Sequence, residues 1–160
     1  MTNQKYIALI DCDSFFVSCE QKRDEGLKGK PVSVVSGERG CVISRSKEAK
    51  KLGVKMGMPL FQAKEQFPQG IYINADHYLY TVISKQIMTI LKDMSPNVQV
   101  YSIDEAFVDL TGLTKAYKMN YFKIAKYIQD KILEEVDIPV SIGISRSKTL
   151  AKLASDYSKN

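Results

Sequence analysis

Apolar residues follow two different periods along the chain, and these periods predict strands and helices. Near-continuous apolar runs of strand length occur over 5–12 (KYIALIDC) and 140–145 (VSIGIS), which is typical of strands covered on both faces. Apolar residues at helical spacing predict two long amphipathic helices over 76–94 and 115–136. A Lys-rich segment, TLAKLASDYSK, predicts a last helix. The chain therefore mixes strands and helices.

Only short elements are predicted between the first strand and residue 75, each bounded by Gly, Pro or turn residues. They are a helix over 13–25, strands over 31–36 and 41–44 joined by the turn GERG, helices over 47–52 and 60–66, and a strand over 71–74. Such small pieces indicate a minor subdomain inserted into a larger fold.

A hairpin is predicted from the strands 98–101 and 106–110, with two adjacent acids, Asp104 and Glu105, between them. The first strand followed later by a β, β, α, β order predicts an α+β fold, with a ferredoxin-like antiparallel sheet backed by two long helices. Residues 1–13 and 76–160 then form the main domain. Residues 14–75 form a small α/β insertion.

Composition narrows the class of protein. The chain has 160 residues, 44% of them hydrophobic, which is enough for a real core, and its net charge of +5 mildly favours a negatively charged partner. Three cysteines without CxxC spacing and one histidine, His77, disfavour zinc cages and disulfide frameworks, so a reduced cytoplasmic protein is expected. The N-terminal apolar run is too short for a membrane span, and acids follow it at once.

The acids at the strand ends are the first candidates for chemistry. Asp11 and Asp13 follow one apolar run, and Asp104 and Glu105 follow another. An ordinary solvated turn explains the second pair on its own. Neighbouring strands would bring the carboxylates together, however, and their repulsion would then require a cation. Carboxylates without His or Cys favour Mg²⁺, or Mn²⁺ in its place, and two such ions suit phosphoryl transfer.

Basic residues could hold the phosphates of a nucleotide beside such a site. The candidates are Arg45, Lys47, Lys50, Lys51, Lys148, Lys152 and Lys159. Each lysine is equally explained as part of a solvated helix face. The signal therefore lies in the combination of acids and bases.

Five ordered motifs resemble those of the Y-family translesion DNA polymerases. They are IDCDSFFVSCE, GKPVSVVSG, GCVISRSKEAKKLGVKMGMP, YSIDEAFVDLTG and VSIGISRSKTLAKLASD, and they cover almost the whole chain. The third and fourth are most similar to the UmuC-like (ImpB/MucB/SamB) branch. The resemblance implies a polymerase palm (1–13 and 76–160) and a fingers subdomain (14–75). It also implies translesion DNA synthesis in the SOS response, on primer-template DNA with dNTPs and two Mg²⁺ ions.

The resemblance implies roles for individual residues as well. Asp11, Asp104 and Glu105 match the catalytic, metal-binding acids, and the backbone carbonyl of Cys12 matches a further metal ligand. The nucleotide-binding positions are Ser14, Phe15, Phe16, Ser44, Lys47, Lys50 and Lys159, and the roof over the base pair is formed by Cys41, Ile43 and Gly57. Phe16 matches the steric gate that excludes a 2′-hydroxyl, although Phe is equally common as a buried helix residue.

Two departures from the family pattern affect these expectations. Many members have Tyr and Arg where this chain has Lys47 and Lys50, and Lys lacks the bidentate fork of Arg. The chain also ends where the family continues into a thumb and a little finger. We therefore expect a catalytic N-terminal fragment with weak or no activity of its own. A sliding clamp, a RecA-type filament and a UmuD-like subunit are expected partners through the remaining parts, in the bacterial cytoplasm near the nucleoid.

Alternative functions remain open at this point. A noncatalytic nucleic-acid-binding or partner-binding module could share the fold, although its strands show no RNP-like aromatic set. A nucleotidyl cyclase could use a related palm and two metal ions without a template. A catalytically inactive copy is disfavoured by the intact acids.

Overall fold

The computed structural model describes residues 5–159, which divide into two compact units. Residues up to Asp13 together with those from Thr81 onward form one, called here the discontinuous unit, and Ser14–Tyr80 form the other, the inserted unit. The inserted unit ends at Tyr80, whereas the insertion expected from the sequence ended at residue 75. The first turn of the helix that starts at His77 therefore belongs to it.

Seven strands and seven α-helices make up the described part of the chain. In order they are β1 (Ile7–Cys12), α1 (Phe15–Arg23), β2 (Val32–Val35), β3 (Val42–Arg45), α2 (Lys47–Leu52), α3 (Leu60–Gln66), β4 (Ile71–Asn74), α4 (His77–Met94), β5 (Val98–Ser102), β6 (Glu105–Asp109), α5 (Leu113–Ala116), α6 (Tyr121–Val136), β7 (Val140–Ser145) and α7 (Lys148–Ser158). A 3-10 turn, Glu25–Leu27, follows α1.

The discontinuous unit contains an antiparallel sheet with the strand order β5-β6-β1-β7. Counting only the strands of this sheet, the order is 2-3-1-4, with a long helix after the first and third, which is the ferredoxin-like arrangement. The expected fold class is thereby confirmed. Strand β1 is central and almost completely buried, which explains its near-continuous apolar sequence.

Helix α7 lies against one face of this sheet. Leu9, Phe107 and Ala151 form a buried cluster there. Gly143 of β7 permits the close contact, because a Cβ at this position would come within 2.2 Å of the Ala151 carbonyl oxygen and of the Ser155 nitrogen. Side chains alternate along β1, so Asp11 lies on the same face of the sheet as Leu9.

The two long helices carry the remaining core of this unit. Helix α6 buries one residue per turn, and its Gln129 donates a hydrogen bond to the carbonyl of Val140 in β7. The buried set of α6 is Ile124, Ile128, Ile132 and Val136. Helix α4 is also amphipathic, and its Ser84 donates a hydrogen bond to the carbonyl of Ile103 in the β5–β6 turn.

The expectation of one helix over 115–136 was wrong, because the structure contains two. Helix α5 is followed by Lys118 at a φ of 51°, a left-handed conformation that ends the helical path. Helix α6 then starts anew, with the Asn120 side chain accepting a hydrogen bond from Lys123 N. Apolar spacing alone did not reveal this break, since the apolar residues of both pieces fit one period.

The inserted unit is built on a three-stranded sheet, β3-β2-β4, in which β2 pairs antiparallel with β3 and parallel with β4. Its core includes Val35, Val42, Val54 and Met58. Ser46 joins several elements, because its hydroxyl oxygen accepts hydrogen bonds from Ala49 N at the start of α2 and from Val32 N of β2. Within residues 5–159, no helix has the length and hydropathy needed to cross a membrane.

Candidate active site

The pairing of β1 with β6 brings the acids of two distant motifs together. Asp11 and Glu105 are direct partners across the two strands. The backbone N–H of Cys12 donates a 2.9 Å hydrogen bond to the carbonyl of Asp104, which fixes the turn that carries this third acid. Residues more than ninety positions apart therefore form one carboxylate cluster, defined here as Asp11, Asp104 and Glu105.

Asp11 is the most buried member of the carboxylate cluster, with 5% of its surface exposed. Burial raises the pKa of its carboxyl group, the hydrogen bond and charge of Lys159 oppose that rise, and the negative charges of Glu105 and Asp104 add to it. The net direction is upward. Lys159 Nζ lies 2.8 Å from Asp11 Oδ2, so one oxygen of this acid already faces a cation.

Glu105 has its own lysine. Lys152 Nζ, one of the α7 cations, lies 2.7 Å from Glu105 Oε1. Burial alone would raise the pKa of Glu105, but the hydrogen bond and charge of Lys152, together with a hydrogen bond from Ser102 and the charge of Lys159, outweigh it. The pKa therefore lies below its ordinary value. The carboxylate cluster thus contains one acid whose ionisation is disfavoured and one whose ionisation is favoured.

Ser102 connects the other two acids of the cluster and was not recognised from the sequence. Its hydroxyl lies 2.9 Å from Asp104 Oδ1 and 3.2 Å from Glu105 Oε2. An irregularity in the β5–β6 register lies between Val100 and Ser102, just before the two acids. Only its position two residues before Asp104 could have indicated its role.

Asp13, the fourth acid of the two motifs, has a different set of contacts. Its carboxylate accepts a 2.6 Å hydrogen bond from the hydroxyl of Ser141, and its backbone N–H donates to the carbonyl of Pro139. Both contacts connect the end of β1 to the start of β7. Asp13 is therefore engaged with β7, whereas Asp11, two residues earlier, is engaged with Lys159.

The donor chemistry of the carboxylate cluster suits a hard divalent cation, because carboxylate and carbonyl oxygens are the ligands that Mg²⁺ prefers. The geometry is not that of a finished metal cage. Among the residues described, no three or more His, Cys, Asp or Glu side chains are grouped as metal ligands. Lysine ammonium groups lie against Asp11 and Glu105 instead. The acids are thus of the residue type that binds Mg²⁺, but a metal ion could bind them only if the two lysines moved.

The candidate nucleotide-binding residues of the inserted unit gather at the start of α1. Ser14, the residue before the helix, has a φ of 42° and makes no capping hydrogen bond with its side chain. Lys50 Nζ lies 3.5 Å from Ser14 Oγ. The buried Ser44 hydroxyl lies 3.3 Å from Val17 N, so this hydroxyl caps the first turn of α1.

Phe15 and Phe16, the next two candidates, differ in exposure. Phe15 is buried in the core of the inserted unit, whereas Phe16 is only half-buried. The ring of Phe16 stacks on that of Tyr80, with centroids 4.6 Å apart and planes inclined by 19°. Phe16 therefore has the partial exposure that a residue in contact with a ligand requires.

The remaining candidates of the inserted unit are more dispersed. Lys47 is exposed in the first turn of α2, and Ile43 lies on the opposite face of β3 from Ser44. Gly57 has a φ of 78°, and its N–H donates to the carbonyl of Val42. Cys41 pairs with Pro59 in an isolated bridge. The structure thus brings Ser14, Phe15, Phe16, Ser44 and Lys50 to the start of α1. The contacts described for the other four positions do not connect them to this group, and their roles stay predictions.

Comparison with known proteins extends over nearly the whole chain. The chain is 42% identical over 154 residues to Protein UmuC of Salmonella typhimurium, an alignment that covers 95% of this chain and 36% of that protein. A chimera of the Y-family DNA polymerases Dbh and Dpo4 has a similar structure, with a TM-score of 0.88 and 34% identity. The insertion ternary complex of Dbh DNA polymerase gives a TM-score of 0.86 and 35% identity.

In both structural comparisons the match covers 97% of this chain and 46% of the other. The chain thus spans less than half the length of these relatives. A family model described as the impB/mucB/samB family matches residues 10–156. The chain therefore belongs to the impB/mucB/samB family, and its fold is that of the corresponding part of the Y-family DNA polymerases.

Proposed function

We propose that this chain is the catalytic part of a translesion DNA-directed DNA polymerase, which adds dNTPs to a primer 3′-hydroxyl. The observation that carries the proposal is the pairing of Asp11 with Glu105 beside Asp104, in motifs that the chain shares with its family. In the reaction, the primer oxygen forms a bond to the α-phosphate of the dNTP. The bond to the β-phosphate breaks, and pyrophosphate leaves.

Asp11, Asp104, Glu105 and the backbone carbonyl of Cys12 would hold the two divalent ions, Mg²⁺ or Mn²⁺. When bound, such ions lower the pKa of an attacking hydroxyl and neutralise the charge of the leaving phosphate. Ser102 supports this role, because its hydroxyl bridges Asp104 and Glu105 and limits the rotation of both. Lys159, whose ammonium group now pairs with Asp11, would be free to contact the triphosphate of a nucleotide if a cation took its place.

The inserted unit supplies the contacts to the nucleotide. The N–H groups at the start of α1 and the ammonium groups of Lys47 and Lys50 attract phosphate, and Ser44 fixes the first turn of α1 by capping Val17. The ring of Phe16 acts as the steric gate that a 2′-hydroxyl would clash with. Cys41, Ile43 and Gly57 form the roof over the nascent base pair. We assign this unit as the fingers and the discontinuous unit as the palm.

Partners beyond DNA and dNTP are proposed for the full-length protein. The likeness to Protein UmuC supports a UmuD-like subunit, a RecA-type filament and a sliding clamp as partners, in a cytoplasmic protein near the nucleoid. Residues 1–160 alone should bind DNA weakly and in a salt-dependent way, because affinity for DNA depends largely on the number of phosphates contacted.

Primer extension by the full-length protein tests the proposed reaction. Wild-type protein should extend a primer in the presence of Mg²⁺, and Asp104→Ala should reduce the rate by about a thousandfold or more, since charge stabilisation at a reacting phosphate is a dominant catalytic effect. Lys126→Ala is the control, because Lys126 lies on the exposed surface of α6, where it pairs with the similarly exposed Asp130. Unchanged extension by Asp104→Ala would remove the carboxylate cluster from the mechanism.

Ribonucleotide insertion tests the steric gate separately. Phe16→Ala should raise kcat/KM for rNTPs by about a hundredfold, while dNTP insertion falls only moderately, because the clash with the 2′-hydroxyl is the interaction removed. If wild type and Phe16→Ala discriminate equally between rNTPs and dNTPs, Phe16 is not the gate.

A further inference from the structure

The inserted unit contains a buried carboxylate that the proposed mechanism does not use. Glu20 in α1 is 2% exposed, and both of its oxygens accept hydrogen bonds. Tyr80 Oη donates to Oε1 at 2.9 Å, and Arg23 Nη2 donates to Oε2 at 2.5 Å. Arg23 also donates to Asp76 at 2.8 Å. The Glu20 carboxylate therefore has little freedom to rotate.

Tyr80 connects this carboxylate to the candidate gate. The Tyr80 side chain is completely buried, and its ring is stacked on Phe16 at 4.6 Å. Two further rings approach it edge-on, Phe15 at 6.4 Å and His77 at 6.0 Å. The ring that forms one wall of the Phe16 site is thus held at its edge by neighbouring rings and at its hydroxyl by Glu20.

The exposure of Phe16 makes this wall important. Phe16 is half-buried, so its own packing restrains it less than that of the buried Phe15. A bulky side chain excludes a 2′-hydroxyl only if it cannot move aside, and a displacement of about 1 Å is already enough to change reaction rates strongly. Glu20 lies one helical turn after Phe16 and on the same side of α1, so its carboxylate can hold the hydroxyl of Tyr80 while the Tyr80 ring stacks on Phe16.

We propose that Glu20 is a positioning residue that acts through the hydroxyl of Tyr80 to hold the Phe16 ring, and that this contact sets the discrimination between deoxyribose and ribose. This inference rests on the proposed function, because it gives Phe16 the role of gate. A purely structural role for Glu20 would affect stability and would lower the insertion of both nucleotide types alike. The proposed role changes their ratio.

The test compares single-nucleotide insertion of dNTP and rNTP by three variants of the full-length protein. Glu20→Gln keeps the size of the side chain, Tyr80→Phe removes only the hydroxyl, and Tyr80→Leu removes the stacked ring. We expect the ratio of kcat/KM for dNTP over rNTP to fall about threefold in the first two variants and about tenfold in Tyr80→Leu, in the order of how much of the wall each removes. The kcat/KM for dNTP should stay within about twofold of wild type.

Tyr72→Phe is the matched control. Tyr72 belongs to the same unit, and its partly buried hydroxyl lies 2.9 Å from the carbonyl oxygen of Ala63 and 2.8 Å from that of Phe67. Its removal therefore breaks a tyrosine hydrogen bond of this unit without touching Phe16. This variant should keep the wild-type ratio. Thermal unfolding of all variants identifies any that fail to fold. If Tyr80→Leu does not fold, Glu20→Gln and Tyr80→Phe still test the proposal.

The outcomes separate the inference from the proposed function. If wild type inserts dNTPs and Phe16→Ala admits rNTPs, but Glu20→Gln, Tyr80→Phe and Tyr80→Leu all keep the wild-type ratio, the positioning role is wrong and the polymerase assignment stands. If wild type inserts no nucleotide at all, both are wrong. A reduced ratio in the control Tyr72→Phe would also overturn the inference, because the effect would then be one of general stability.

Discussion

Both units of this protein bury a carboxylate against a cation, but they do so in different ways. In the inserted unit, Glu20 is 2% exposed and contacts the guanidinium of Arg23, whose side chain is 47% exposed, and the hydroxyl of the fully buried Tyr80. In the discontinuous unit, Asp11 contacts Lys159, the residue after α7, whose side chain is 31% exposed. Glu105 contacts Lys152 of α7, whose side chain is 46% exposed. The cations of both clusters are therefore partly exposed. The first is called the closed cluster, because the fully buried Tyr80 holds one oxygen of Glu20, and the second the accessible cluster, because the charged partners of both acids are lysines.

The chemistry of the partners explains the contrast. Lysine is a point charge on a flexible stem that water also solvates, so a divalent cation can replace it without leaving a charge buried. Removal of Arg23 or Tyr80 from Glu20 would leave a buried carboxylate short of partners, which is costly. A buried acid with lysine partners therefore indicates a binding site, whereas a buried acid with arginine and tyrosine partners indicates a structural anchor.

The largest expected effect comes from neutralising the accessible cluster. Asp11→Asn should reduce primer extension by the full-length protein about a thousandfold or more, because a proposed metal ligand is lost. The free energy of unfolding should stay the same or rise by less than about 1 kcal/mol. The physical reason is that the pKa of Asp11 is raised in the folded protein, so above that pKa its ionised form opposes folding, and Asn cannot ionise.

Urea unfolding and single-nucleotide insertion measure these two quantities. A loss of stability of several kcal/mol in Asp11→Asn would show that Asp11 is an anchor like Glu20. Full activity would show that it is not a metal ligand.

The next largest effect is expected from opening the closed cluster. Glu20→Ala should lower the free energy of unfolding by about 2–4 kcal/mol, because the buried hydroxyl of Tyr80 and one side of Arg23 lose their acceptor. Chemical denaturation checks this. A cost below about 0.5 kcal/mol would contradict the view that Glu20 is an anchor, since that is the range of ordinary surface substitutions.

A smaller effect is expected from pushing α7 away from the sheet. Gly143→Ala places a Cβ within 2.2 Å of the backbone of α7, so the helix must shift, at a cost of about 1–3 kcal/mol. Because α7 carries Lys152, the contact of this lysine with Glu105 should weaken as well.

The control for this substitution is Gly26→Ala, whose Cβ would approach only the end of the Asp24 side chain, at 3.1 Å. We expect a change within about 0.5 kcal/mol there. Equal stabilities of the two variants would mean that α7 is not held as closely as the structure shows.

The smallest effect is expected from chemical labelling of Cys19, the residue before Glu20, in the unmutated protein. Burial, together with the negative charge of Glu20, raises the pKa of the Cys19 thiol to about 12. The thiol therefore stays protonated at pH 8, and iodoacetamide should leave it unmodified in the native protein. Mass spectrometry after labelling in native buffer and in urea checks this. Rapid native labelling would show that the region around Glu20 opens readily.

The sequence predicted most elements because their signals are local. The strands 71–74 and 140–145 agree with the structure residue by residue, since apolar runs bounded by turn residues leave little choice. The long helix over 115–136 was mispredicted because the left-handed Lys118 and the capping Asn120 interrupt the helix without interrupting the apolar period. Caps and turns of this kind are weaker signals than periodicity.

The candidate site was predicted only in part, for a similar reason. Asp11, Asp104 and Glu105 could be proposed from their positions at strand ends, and the structure places them together. Ser102 and the pair of Glu20 with Tyr80 were missed, because a serine in a strand and a glutamate in a helix have no distinctive spacing. Their contacts depend on residues that meet only in the folded chain.

By itself, the sequence determined most of the order of strands and helices, the family and the acids available for a metal site, since these depend on residue types and short-range spacing. The tertiary structure alone decided how each acid is used. Strand register places Asp11 opposite Glu105, the start of β7 engages Asp13, and packing closes Glu20 behind Tyr80. The physical reason is that an acid's burial and partners are set by neighbours distant in sequence, and these determine whether its charge is stabilised in place or left accessible to another cation.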